Sequence, residues 1–354
     1  MPRPFPGVSH KKTILFFSRG RGHGHAIPDI TIAAALLESR PDTEIRFVSY
    51  ATGAETLRGG GWDVIDIDLP ENNAFLPTLY KAQSLIACLK PALVISHEEF
   101  AALPAAKICG VRSVFFSAWL PPPGNINADC LADATEVILL GQPGIFPPSH
   151  PNMPRPQCVG DIHRKLEYSR EDRSRARKEL EIAENTKVIM VASGGWATEA
   201  RAPIADVVLG AFRALPDSPK LLLWFAGSDR EQIQKMVGDS PDIRVYDFCK
   251  PIERWMVSSD VLISKGTRGL TQDAARLGLP SISLSHGLNP MDDFLVRLIS
   301  SNLFLSGKAV NPEILKNYIE TTMRSGIIAQ KIKADSNGLK EATRLLVDII
   351  HAAP

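Results

Sequence analysis

Several features are scarce in this chain of 354 residues, and each scarcity excludes a class of protein. Five cysteines, at positions 88, 109, 130, 158 and 249, form no CxxC pair and cannot all be joined two by two. A disulfide framework and a cysteine zinc site are therefore not expected. An excess of charge of either sign is missing too. The formal net charge is +1, with charged residues at 22%, so no broad electrostatic footprint for nucleic acid or an anionic membrane exists. Long apolar runs are absent, and no uncharged stretch approaches the length needed to span a bilayer. The apolar run Ile14 to Phe17 near the basic residues Arg3, Lys11 and Lys12 is too short for a signal peptide, which leaves a reducing cytoplasm as the expected setting.

What is present is a regular alternation. Short apolar runs at 13–18, 44–49, 92–96, 112–117 and 136–140 read as buried strands. Segments with helical spacing lie between them, among them 28–39 and 75–89. A second series of strands follows at 187–193, 220–226, 243–246, 261–264 and 281–284. Between the two series, residues 141–156 hold six prolines, which neither continue a helix nor donate to a ladder. At this length two α/β domains are expected. The expected division is 1–145 for the first, 146–165 as linker, 166–334 for the second, and 335–354 as an amphipathic helix with apolar residues at 339, 342, 345, 346 and 349.

The loops at the strand ends carry the chemistry. The first strand runs into Ser18-Arg-Gly-Arg-Gly-His-Gly-His25, with a helix opening near Pro28. Gly20, Gly22 and Gly24 let backbone approach a ligand, and a strand–loop–helix junction is a natural anion site. A dinucleotide fingerprint fails at two places. His25 stands where its third glycine belongs, and the second strand ends at Ser49-Tyr50 without an acid for a ribose diol. His25 sits where loop meets helix. Its imidazole can take a proton from a hydroxyl, or it can simply bond its own loop. His97-Glu98-Glu99 ends another strand. Glu98 can orient His25, act as a base itself, or serve only as an acid at a helix start.

In the second half, Ser193-Gly194-Gly195-Trp196 follows a strand and suits a phosphate or a plain turn. The stretch Ser264-Lys265-Gly266-Thr267-Arg268-Gly269 opens a helix at Leu270. A diphosphate there would meet the helix dipole, with Lys265 or Arg268 adding charge. Asp273 lies about one turn into that helix, where a carboxylate can accept both hydroxyls of a ribose. Asp292 and Asp293 precede a further helix and can hold sugar hydroxyls or act as first-turn acids.

Taken together, these loops resemble those of the GT-B glycosyltransferases. The similarity is strongest to the branch that includes the peptidoglycan N-acetylglucosaminyltransferase, and weaker to the UDP-glucuronosyl and macrolide transferases. It rests on Gly24-His25-Ala-Ile-Pro28, Pro123-Gly124, Ser193 to Trp196, Val245 to Phe248 with Trp255-Met256, and the run from Asp260 to Pro280 with its following aspartates. Asp273 stands where the family usually has glutamate, and Asp292-Asp293 where it has a glutamine or an Asp-Gln pair.

The resemblance implies a GT-B fold, two Rossmann-like doubly wound domains facing each other across a cleft. It implies an inverting, metal-independent transfer of a hexosyl group from a UDP-sugar to an acceptor hydroxyl, without a cofactor. The acceptor would be a small aglycone or a lipid-linked saccharide. His25 would be the base, and Phe248 would read the nucleobase through its backbone. Gly22, Gly24, Gly194 and Gly195 would line the donor. Gly266 to Leu270 would hold the diphosphate, Asp273 the ribose, and Asp292 and Asp293 the sugar. The C-terminal helix would return to the first domain. Three other readings remain open at this stage: an epimerase or hydrolase of nucleotide sugars, a non-catalytic nucleotide-sugar-binding protein, and an NAD oxidoreductase. The apolar, lysine-flanked segment 75–90 is expected either to pack on its own sheet or to touch a membrane surface peripherally.

Overall fold

The computed structural model describes residues 11–70, 75–121, 124–141, 146, 152–193, 198–247, 249, 251–265, 268–285, 304–306, 310–325 and 338–352. The chain divides into two compact units, residues 1–164 with 335–354, and residues 165–334.

In the first unit, seven parallel strands run β1 Lys12–Ser18, β2 Thr43–Ser49, β3 Val64–Asp66, β4 Leu93–His97, β5 Ser113–Ser117, β6 Glu136–Leu139 and β7 Gln157–Cys158. Their spatial order is β3-β2-β1-β4-β5-β6-β7, the doubly wound arrangement with its switch point between β1 and β4. Helices α1 Ala26–Ser39, α2 Ala51–Gly59, α3 Phe75–Leu89, α4 Ala102–Ile108 and α5 Ile126–Asp129 lie between the strands. The middle of the central strands is apolar on successive residues because both faces are covered there, whereas β2 carries the half-buried Glu44 and Arg46. Ile14, Phe16, Phe47 and Ile95 enter one core, while their neighbours Leu15, Phe17, Val48 and Val94 enter the other.

The second unit repeats the plan. Its strands are β8 Lys187–Ala192, β9 Lys220–Phe225, β10 Ile243–Tyr246, β11 Val261–Ser264, β12 Ser281–Ser285 and β13 Phe304–Ser306, all parallel, in the order β10-β9-β8-β11-β12-β13. Helices α6 Arg173–Glu179, α7 Thr198–Arg213, α8 Arg230–Val237, α9 Ile252–Ser258, α10 Arg268–Arg276 and α11 Pro312–Ser325 accompany them. Again the residues alternate. Ile189, Val191, Leu222 and Trp224 fill one face, and Val188, Met190, Leu221 and Leu223 the other.

The last helix, α12 Gly338–His351, packs within the first unit. Ala342, Leu346 and Ile350 join the core that holds Ile14, Ile32 and Leu36. A Cβ on Gly338 would lie 2.3 Å from the carbonyl oxygen of Asp161, so only glycine permits this approach.

One expectation needs correcting. Residues 146–165 are not simply a linker. Gln157–Cys158 pairs with β6, Ile138 against Gln157 and Leu139 against Cys158, and closes the sheet edge. Proline density signalled irregular chain but could not reveal a two-residue strand directly after the last proline of that stretch, Pro156. Among the described residues, no helix is long and apolar enough to cross a membrane.

Candidate active site

In the first unit the site is built where β1 and β4 end side by side, with Ser18 paired to His97. The loop from β1 to α1 is held close to the next βα connection. A Cβ on Gly20 would come within 2.3 Å of the Tyr50 ring, and the amide of Gly53 donates to the Gly20 carbonyl at 3.0 Å. Gly22 takes a φ of +64°, which glycine adopts without strain. His23 Nδ1 lies 2.6 Å from Thr56 Oγ1, an anchor for the loop. Gly24 has open space where a side chain would stand. His25 is the N-cap residue of α1.

From this position His25 Nε2 reaches Oε2 of Glu98 at 2.8 Å. Glu98 has a φ of +55°, an uncommon conformation for a residue with a side chain, and its carboxylate is buried. Besides His25 it accepts from Ser117 Oγ (2.9 Å), from the amide of Ala118 (3.3 Å) and from Trp119 Nε1 (2.7 Å). Arg19 stands 4.0 Å away. Burial alone would favour the neutral acid, but His25, His97 and Trp119 together hold the Glu98 carboxyl well below the usual carboxylate range. A carboxylate so tied is a weak base and a strong orienting group. With Nε2–H donating to it, the lone pair of His25 is on Nδ1, which is buried and has no hydrogen-bond partner among the described residues.

The flanking residues serve other partners. His97 Nδ1 donates to Asp29 Oδ1 at 2.6 Å, and Tyr50 donates its hydroxyl to Glu99 Oε2 at 2.9 Å. Burial pushes the Glu99 carboxyl up to about 7, against the pull of Tyr50 and Arg19. Donor atoms of His25, His97 and Glu98 lie within 4.8 Å of one another, close enough for a cation. The short hydrogen bonds already join these groups in pairs, so a cation would have to displace protons from both histidines.

The residues that sequence reasoning passed over are Trp119, Ser117, Tyr50 and the pairing role of Asp29. Asp29 alone carried a signal, since it lies one helical turn after His25.

In the second unit, Ala192 at the end of β8 pairs with Ser264 at the end of β11. The loops starting at Ser193 and Lys265 therefore leave adjacent strands at the same edge of the sheet. Helix α10 opens directly after, and Gly269 in its first turn has nothing within 4 Å of where a Cβ would be. Leu270 packs against the core, and Asp273 is buried with its carboxylate 3.4 Å from Arg276. Thr271 and Gln272 beside it are also buried, and among the described residues neither Thr271 Oγ1 nor Gln272 Nε2 has a hydrogen-bond partner. Gly194, Gly195, Phe248, Gly266, Thr267, Asp292 and Asp293 lie outside the described residues, as does the side chain of Arg268.

No family model matches the chain. A curated relative is the UDP-N-acetylglucosamine--N-acetylmuramyl-(pentapeptide) pyrophosphoryl-undecaprenol N-acetylglucosamine transferase of Bacteroides thetaiotaomicron, 21% identical over 295 residues and covering 77% of each chain. Among solved structures, MurG of Acinetobacter baumannii matches with a TM-score of 0.63 and 18% identity, over 96% of this chain and 99% of that one. A protein described as a putative UDP-N-acetylglucosamine 2-epimerase from Listeria monocytogenes matches with a TM-score of 0.67 and 16% identity, over 96% of both chains. Two parallel sheets of this strand order, matched over nearly the full length, are the GT-B fold.

Proposed function

We propose that the chain is an inverting, metal-independent hexosyltransferase that takes its sugar from a UDP-sugar. The observation that carries this reading is the His25–Glu98 pair, a histidine held by a buried carboxyl group at the end of a parallel sheet. His25 Nδ1 accepts the proton of the acceptor hydroxyl. The freed oxygen forms a bond to the anomeric carbon as the bond to the diphosphate breaks, and the electron pair leaves with the nucleoside diphosphate. Glu98 balances the charge that forms on the imidazole. The amides that open α10 stabilise the departing diphosphate, and Asp273 accepts the ribose hydroxyls. Lys265, Gly266 to Gly269, Phe248, Asp292, Asp293, Gly22, Gly24, Gly194 and Gly195 complete the donor contacts.

The acceptor is a lipid-linked saccharide or a small aglycone, met at a cytoplasmic membrane face without insertion. Support for an apolar acceptor comes from α3, which buries Thr78, Ala82 and Ile86 but presents Leu76 and Tyr80 outward, one turn apart. A second reading, epimerisation or hydrolysis of the nucleotide sugar, is favoured by the full-length likeness to the epimerase-described structure.

The test is release of UDP from UDP-N-acetylglucosamine and UDP-glucose, with and without a panel of hydroxyl acceptors. Release that needs an acceptor and is abolished by His25→Ala supports transfer. Release without any acceptor supports the second reading, and turnover unchanged by His25→Ala removes His25 from the mechanism.

A further inference from the structure

Four side chains tie the end of β4 to the first turn of α1. Two are consecutive, His97 and Glu98, and two are one helical turn apart, His25 and Asp29. His25 pairs with Glu98 at 2.8 Å, and His97 pairs with Asp29 at 2.6 Å. The two imidazoles meet edge to face, with ring centroids 5.0 Å apart at 75°. His97 also hydrogen-bonds the backbone of His25, whose carbonyl accepts the amide of Asp29 at 3.2 Å as well. His97 and Asp29 are both buried, and the proposed transfer uses neither. An acid that merely served the helix dipole would sit in solvent. A buried ion pair is costly to keep and needs another reason.

We propose that His97, clamped by Asp29, is a positioning residue of this site: it fixes the backbone of His25 and supplies the positive charge against which Glu98 stays ionised. The inference rests on the reading of His25 as the base. The groups that face His97 are Asp29 and His25 from α1 and Glu98 from its own strand end. Arg19, from the β1–α1 loop, lies beyond Glu98. Burial alone would strip the proton from the His97 ring. The Asp29 carboxylate, its hydrogen bond and Glu98 outweigh that and hold the ring above its ordinary value. In that form both nitrogens donate, one to Asp29 and one to the His25 carbonyl. The same charge is one of the causes that keep Glu98 low.

A charge this close must appear in the pH dependence of turnover, because it opposes a second proton on the neighbouring ring. The test uses the intact protein with UDP-N-acetylglucosamine and the acceptor that supports turnover. His97→Gln is expected to lower kcat about 10- to 100-fold with donor KM unchanged, and to move the acid limb of the rate profile up by about one pH unit. Asp29→Asn, nearly isosteric, is expected to move the limb in the same direction and serves where His97→Gln does not fold. Ring NMR of 15N-histidine protein reads His97 without substrate. Two protonated ring nitrogens at pH 7, lost in Asp29→Asn, are expected. A neutral His97 at pH 7, or an acid limb that stays in place in both variants, overturns the proposal. Full turnover in His25→Ala fails the base reading instead, and the NMR result still decides the charge on His97.

Discussion

His25 and Glu98 are 73 residues apart in the chain and 2.8 Å apart in the fold. The contact exists because β1 and β4 are neighbours in the sheet, so the loop after one and the turn after the other open over the same edge. Glu98, the first residue beyond β4, makes the contact with its backbone at a φ of +55°, an uncommon conformation for a residue with a side chain.

Glu98→Gln tests what the charge contributes. The amide fits the same space and accepts through its one oxygen, but its NH2 must face donors on the other side, and it cannot balance an imidazolium. Turnover is expected to fall about 10²- to 10⁴-fold, with UDP binding by thermal shift unchanged. A loss below threefold would mean that the carboxylate only holds the loop. Trp119→Phe, which removes a single donor from Oε2, is expected to cost much less.

Glu99 makes a prediction about stability. Its folded value, about 7, lies above the ordinary 4.5 because it is buried. The fold therefore favours the protonated form. This contribution is fully present below about pH 4.5, declines as pH rises, and is gone above about 7. Glu99→Gln keeps the acceptor for Tyr50 and carries no charge. Urea denaturation is expected to show the variant more stable than wild type by roughly 2–3 kcal/mol at pH 8, and nearly equal to it at pH 4. An equal effect at both values would contradict the assignment.

Gly20 and Gly24 sit four residues apart in one loop and should respond differently to alanine. A methyl group at Gly20 would lie 2.3 Å from the Tyr50 ring and 2.4 Å from its carbonyl oxygen. Gly20→Ala is expected to cost about 1–3 kcal/mol or more, with loss of turnover as the loop shifts. At Gly24 nothing stands within 4 Å, so Gly24→Ala should stay within about 0.5 kcal/mol of wild type. Any loss of activity in Gly24→Ala then reports on ligand approach and not on folding.

In the second unit Arg177 is buried and donates to the carbonyls of Ser258, Ala183 and Glu184 at 3.0, 3.1 and 2.8 Å, and to Asp260 at 3.1 Å. Asp260 in turn holds Arg173 at 2.6 Å and the amide of Val188 at 2.8 Å. This network ties the end of α9 to the start of β8. Arg177→Met would take the donor from the Ser258 and Glu184 carbonyls and from Asp260, while the Ala183 carbonyl keeps the Thr186 amide at 3.0 Å, and a loss of about 3–5 kcal/mol is expected from chemical denaturation. A near-neutral result would show that the methionine packs as well as the network holds.

Both parallel sheets were legible in the sequence, because central strands covered on two faces carry runs of consecutive apolar residues, such as Ile14 to Phe17 and Leu221 to Phe225, and such runs are visible in a string of letters. Helix α12 was legible for a related reason, its apolar residues recurring every three or four positions. The short edge strands β3, β7 and β13 were not. With two or three residues each, they have no period to detect, and only a neighbouring strand makes them strands. The loops that bear His25, Glu98 and Asp273 could be located as strand ends, and glycine and histidine marked the first of them. Which partner each side chain takes was a different matter. His97, Glu98 and Glu99 are consecutive, yet they bond Asp29, His25 and Tyr50. That choice depends on sheet order, on one left-handed residue, and on distances across 49 to 73 positions of chain. Burial is a property of the assembled core and is written at no single position. Only the folded chain could lower one of these carboxyls below the usual range, raise its neighbour to about 7, and set the histidine beside them against Asp29.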